Sequence, residues 1–237
     1  YVGVNFNSQG NPNLKPSDHY NLDLKWDFNP TPTELISLTA FYKLIKNPIS
    51  RIEVASAGGY LSYENIADKA TVAGVEIEIR KNLFVRPVSN AAHGMNKLSL
   101  GLNGSYIYTN AKMPLATVTT GSQLEGAAPW IVNFDLSHNF TKGERSFVNT
   151  LVLNYVSDKI YTIGTQGYQD MMEQGVLTLD FVSQAKLNKH LSLNLKARNL
   201  LNPSYKLSRK ANENGEKVIL NDYKKGINIS LGVSCTF

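Results

Sequence analysis

Apolar and polar residues alternate along most of this chain, and the alternation predicts its elements. Successive side chains on a strand point to opposite faces, so a period of two marks a strand with one apolar face. Over residues 20 to 28, Tyr20, Leu22, Leu24, Trp26 and Phe28 share one face, while Asn21, Asp23, Lys25 and Asp27 share the other. The same pattern recurs over 34 to 46, 69 to 80, 96 to 110, 129 to 140, 146 to 157, 176 to 187, 190 to 199 and 227 to 237. That makes nine expected strands and no helix, hence an all-β, antiparallel fold.

The expected strands carry about ten residues each. At roughly 3.3 Å per residue and about 45° of tilt, that length spans the ~25 Å apolar band of an outer membrane. Strands of soluble proteins average about five or six residues. Short connections at 29 to 33, 141 to 145 and 188 to 189 alternate with long ones at 47 to 68, 111 to 128, 158 to 175 and 200 to 223. One short-side link, 81 to 95, is longer than the pattern asks for. Short turns on one side and long loops on the other are the habit of transmembrane β-barrels, with the short turns periplasmic. Aromatic residues agree: Trp26, Phe28, Phe140, Phe147 and Phe237 fall near short-turn ends, and Tyr42, Tyr106, Tyr108, Trp130 and Tyr155 near long-loop ends. Two interfacial girdles would place them so.

Composition narrows the class further. No run approaches the ~18 apolar residues of a membrane-spanning helix. The net charge of +5 is dispersed, without a block of like charges, so no nucleic-acid partner is expected. A single cysteine, Cys235, excludes an internal disulfide. The chain starts at Tyr1 with no leader pattern, and an odd strand count that begins on the loop side leaves the ring incomplete. Further strands upstream are therefore expected.

Three local sequences resemble TonB-dependent outer-membrane receptors. They are Gly10-Asn11-Pro12-Asn13-Leu14-Lys15-Pro16, Gly74-Val75-Glu76-Ile77-Glu78, and Arg198-Asn199-Leu200-Leu201-Asn202-Pro203-Ser204-Tyr205, in the order and spacing of that family's C-terminal part. Ser17 departs from the acidic residue usual after the second proline. The style resembles receptors from Bacteroidetes more than the enterobacterial siderophore receptors. The resemblance implies that residues 1 to 237 are the C-terminal portion of a barrel of about 22 strands, with the plug domain upstream. It implies uptake of a scarce nutrient such as a siderophore, cobalamin, glycan or peptide. The implied partners are membrane lipid and lipopolysaccharide, the missing N-terminal barrel and plug, TonB acting through that plug, the barrel-assembly machinery and an imported ligand. It also implies that the alternating closing strand is an assembly signal, with Ile229, Leu231, Val233 and Phe237 as its apolar row.

No catalytic constellation emerges, so no enzyme, cofactor or metal is expected. His19, His93, His138 and His190 are scattered without metal-ligand spacing. Glu76 and Glu78 share a face that Arg80 continues, which suits a polar lumen wall better than an acid pair. Gly58-Gly59 and Gly164-Thr165-Gln166-Gly167 precede no helix and make poor phosphate cradles. Ligand-contacting candidates are Arg51, Tyr60, Tyr63, Tyr161, Gln166 and Tyr168 in the long connections, where aromatics stack on rings and arginine meets carboxylates. Packing of loop against loop is the competing role for the same residues. A passive porin-like channel and a secreted β-sandwich lectin are the alternative functions.

Overall fold

A computed structural model describes residues 7–54, 60–88, 94–113, 123–165, 167–211 and 215–236. Its centre is a nine-stranded antiparallel sheet built from β1 (Asp18–Phe28), β2 (Leu35–Lys46), β5 (Lys69–Pro87), β6 (Met95–Ala111), β7 (Trp130–Lys142), β8 (Arg145–Val156), β11 (Val176–Lys186), β12 (Leu191–Arg198) and β15 (Asn228–Cys235), in that order across the sheet. These are the nine strands expected from the alternation. Each pairs with the next in sequence along the wall, so the sheet is a meander, open at β1 and β15.

Register carries the alternation across the sheet. The row Phe28, Ile36, Ile79, Leu102, Phe134, Leu153 and Leu179 runs in step over seven strands, giving one continuous apolar face. On the other face, one residue along, Asp27, Ser37, Glu78, Asn103, Asn133, Asn154 and Thr178 form a parallel polar row. A one-residue slip at any strand would put carboxylates and amides among the leucines, so the pattern itself fixes the register. The apolar face is left uncovered: Leu24, Leu38, Trp130 and Leu231 are all exposed. A large apolar sheet face without a covering layer marks contact with lipid or protein.

The aromatic ends are also as expected. Tyr106 and Trp130 meet across β6 and β7 at the loop end with ring centroids 4.6 Å apart, while Phe140 and Phe147 face each other beside the tight turn at 6.4 Å. That turn closes on Gly143, whose φ of 59° suits glycine.

Two expectations need correction. The link 81 to 95 shrinks to residues 88–94, because β5 continues past Arg80 through a bulge between Asn82 and Phe84. The extra residue reverses the alternation, so Phe84 stands opposite Leu98 on the apolar face and Val85 opposite Lys97 on the polar one. With Lys81 followed by the unbroken run Leu83-Phe84-Val85, the period of two was lost in the sequence and the strand seemed to end early. The bulge is held from the neighbouring turn. Glu34 is buried in the turn just before β2, accepts the Asn82 amide at 3.0 Å and pairs with Lys81 at 3.3 Å. These contacts, the Asn82 amide foremost, hold the Glu34 carboxyl below its ordinary range against the opposing effect of burial.

The long connections also contain strands that the alternation did not reveal. β3 (Ile49–Val54) pairs with β4 (Tyr60–Asn65), and β9 (Lys159–Thr162), β10 (Met171–Glu173), β13 (Ser204–Lys210) and β14 (Lys217–Lys224) form a four-stranded sheet in the order β14, β13, β10, β9. Five of them are three to seven residues long, too short for a clear period, and β14 carries Val218, Ile219 and Leu220 in a row; β4 and β13 each bury two consecutive residues, Leu61-Ser62 and Leu207-Ser208.

Candidate functional site

The six short strands and the described parts of their connections pack into one cap at the loop end of the wall. A parallel bridge joins Ile52 of β3 to Ile163 just after β9, and Gly126 donates its amide to the Ile160 carbonyl at 2.9 Å. The cap core holds Ile52, Ile66, Leu124, Ile160 and Ile163, and it packs on Ile45, Ala70, Val72 and Ala111 of the wall. Those four wall residues lie on the same face as the polar row, since Ile45 pairs with Ala70 and Ala70 with Ala111. The polar face thus turns apolar at its loop end, where the cap sits on it. Leu124 adds a hydrogen bond from its amide to the buried Thr109 hydroxyl at 3.1 Å.

Five of the six candidate ligand residues have a described position. Arg51 is committed within the cap: its backbone amide and guanidinium bind Glu125, with 2.8 Å between Nη2 and Oε1, and its guanidinium lies 4.0 Å from the Tyr161 ring centre. An arginine so neutralised and stacked organises the cap, which is the packing role set against ligand contact above. Tyr63 and Tyr168 are exposed, and Tyr60 is half-buried at the start of β4. Arg209 lies 5.3 Å from the Tyr168 ring centre and pairs with Glu53. Gln166 lies outside the described residues. Arg51 and Tyr161 are therefore brought together, and the other tyrosines are spread over the cap surface.

Sequence reasoning missed Glu53, Glu125 and Arg209, the partners that tie the cap. Nothing marks them in the chain, because their partners lie 74 and 156 residues away. The N-terminal motif also has a structural use. Asn65 of β4 accepts the Lys15 amide at 2.8 Å and donates to the Lys15 carbonyl at 3.0 Å, while Asn11 donates to the Tyr63 carbonyl.

Below the cap the polar face forms a shallow cleft of about 390 Å³ lined by Thr33, Glu78, Arg80, Lys97, Asn133 and Asp135. Glu78 and Arg80 pair at 2.7 Å, as their shared face suggested. Gly101 leaves room for the Asp135 side chain to lie across it. Hydroxyls, amides and charges of both signs can hold water or a polar chain here, but no nucleophile sits beside a base. Among the described residues no group of histidines, cysteines or carboxylates could hold a metal ion. His138 instead bonds Asn96 at 2.8 Å, and His190 bonds the Thr236 carbonyl at 2.7 Å.

In β15, Ile229, Leu231 and Val233 stand on the apolar face opposite Ala197, Leu195 and Leu193. Phe237, the last of the expected assembly row, lies outside the described residues.

A family model described as TonB dependent receptor-like, beta-barrel, matches residues 1–200. No curated protein and no solved structure matches the chain.

Proposed function

Because this chain belongs to the TonB-dependent receptor-like β-barrel family, we propose that it is the C-terminal part of the barrel of an outer-membrane receptor importing a scarce nutrient, a siderophore, cobalamin, glycan or peptide. In this reading the apolar face meets lipid and the hydrocarbon side of lipopolysaccharide. The polar face lines the lumen, the tight turns are periplasmic and the cap faces outward. The observation that carries it is the pair of in-register rows, apolar on one face and polar on the other, maintained over strands long enough to cross a membrane.

The remaining strands and the plug would complete the pore. β1 and β15 each have one neighbour, and eight antiparallel pairings make them run in the same direction. An all-antiparallel ring then needs an odd number of further strands between them. The plug would occupy the polar lumen and contact TonB from the periplasm. Tyr60, Tyr63, Gln166 and Tyr168 are the candidates for ligand contact, with Arg51 and Tyr161 supporting them from within the cap. Ile229, Leu231, Val233 and Phe237 would form the row read by the barrel-assembly machinery.

Growth on limiting nutrients tests the transport reading. Deleting the receptor gene, or TonB in a receptor-positive strain, should abolish growth on the same nutrient. Growth that needs the receptor but not TonB would favour a passive porin-like channel. Release of the protein from cells without detergent would instead favour a secreted lectin.

A further inference from the structure

Four separate connections meet in the cap, and β3 is their common neighbour. Arg51 binds Glu125, which lies between β6 and β7. Two residues further along the strand, Glu53 pairs with Arg209 of β13, and its carbonyl accepts the Thr165 hydroxyl from the connection after β9. Between these two, Ile52 is buried against Ile163 and bridges to it through the backbone. Three consecutive residues, Arg51, Ile52 and Glu53, thus bind the connections that follow β6, β8 and β12. Both ion pairs are largely withdrawn from water, with side-chain exposures of 24% and 19% for Arg51 and Glu125, and 15% and 13% for Arg209 and Glu53.

Location gives this junction a consequence. The cap core rests on polar-face residues, with Ala70 and Ala111 each only 1% exposed beneath it. Ser208 of β13 is equally buried on the four-stranded sheet. A small cavity of about 160 Å³ between Asn154 and Thr178 of the wall and Tyr205 of β13 shows the same sheet leaning over the polar face.

We infer that the described parts of the four connections, the strands β3, β4, β9, β10, β13 and β14 with residues 123–129, form a single lid over the inner face, latched at β3 by the Arg51–Glu125 and Glu53–Arg209 pairs, so that releasing either pair loosens the whole lid. The lid role rests on the receptor reading, whereas the coupling of the two pairs does not. A buried pair that loses one partner leaves an uncompensated charge, so each substitution favours the open arrangement. Local openings of this kind are cooperative units with their own free energy.

Thiol labelling tests it without knowledge of the imported ligand. Ala111→Cys, in intact receptor carrying Cys235→Ser and held in outer-membrane vesicles, would be treated with a membrane-impermeant maleimide. The latch predicts slow labelling that quickens roughly tenfold or more with Glu125→Gln and equally with Glu53→Gln, although Glu53 binds a different connection. Thr165→Val, which keeps every charge, should quicken it less and in the same sense. Acceleration by Glu125→Gln alone would overturn the coupling. Labelling of the parent at the rate of a fully exposed thiol would overturn the lid. Heat-modifiable migration of each variant separates a loosened lid from an unfolded barrel. Labelling unchanged by both substitutions would overturn the latch, whereas the predicted acceleration in a protein whose deletion leaves nutrient uptake intact would overturn the receptor reading and leave the coupling standing.

Discussion

Gly74 shows what a single position contributes to this wall. It lies opposite Phe41, whose ring covers it, and a Cβ there would strike both that ring and the Tyr106 carbonyl. The glycine of the Gly-Val-Glu-Ile-Glu sequence is thus a seat for an aromatic ring on the polar face. Gly74→Ala should destabilise the folded barrel by about 1–3 kcal/mol, read from urea unfolding in detergent micelles, because the carbonyl cannot move aside. Glu34 makes a pH-dependent contribution. Its folded carboxyl titrates below the ordinary carboxylate range, chiefly through the Asn82 amide, so its stabilisation is complete above that range and is lost as pH falls through the folded value. The wild type should therefore exceed Glu34→Gln in stability at neutral pH. The difference should vanish in acid, and an unchanged difference at low pH would refute the assignment.

Among the elements, the connection after β12 repays attention because its motif has a mechanical explanation. Asn199 and Asn202 both adopt positive φ, 58° and 43°, a region that asparagine tolerates better than most residues. Asn199 takes the Asp180 carboxylate on its amide and donates its side chain to the Gly226 carbonyl at 2.7 Å, while Asn202 accepts the Gly226 amide at 3.0 Å. Two asparagines thus clamp the entry to β15 from 24 and 27 residues away. Replacing either with alanine should cost about 1–3 kcal/mol through lost hydrogen bonds and backbone strain, and should loosen β15 in hydrogen exchange before β7 or β8. The wall strands were legible from the chain because period two holds unbroken over eight or more residues. The cap was not, because its strands are short and its ties join residues far apart in sequence. Arg51 and Tyr161 were identifiable as cap residues but not as partners of Glu125 and of each other.

At the scale of the whole molecule, the wall is an open sheet whose apolar and polar faces are already distinct, with a cap that packs onto the polar one at the loop end. β15 presents Ile229, Leu231 and Val233 on the apolar face. Removing Phe237 should reduce the yield of folded barrel in the membrane far more than ligand binding per folded molecule, and an undiminished yield would contradict its role in assembly. The central claim is that this sheet crosses a bilayer with its two faces in different solvents. Spin labels placed singly from residue 131 to 138 along β7, in receptor carrying Cys235→Ser and reconstituted in lipid, measure that directly. Labels at Val132, Phe134 and Leu136 should be relaxed by oxygen dissolved in the bilayer. Those at Asn133, Asp135 and Ser137 should be shielded from it, giving a period of two. Accessibility without that alternation, or a water-soluble reagent reaching both sets equally, would contradict the account.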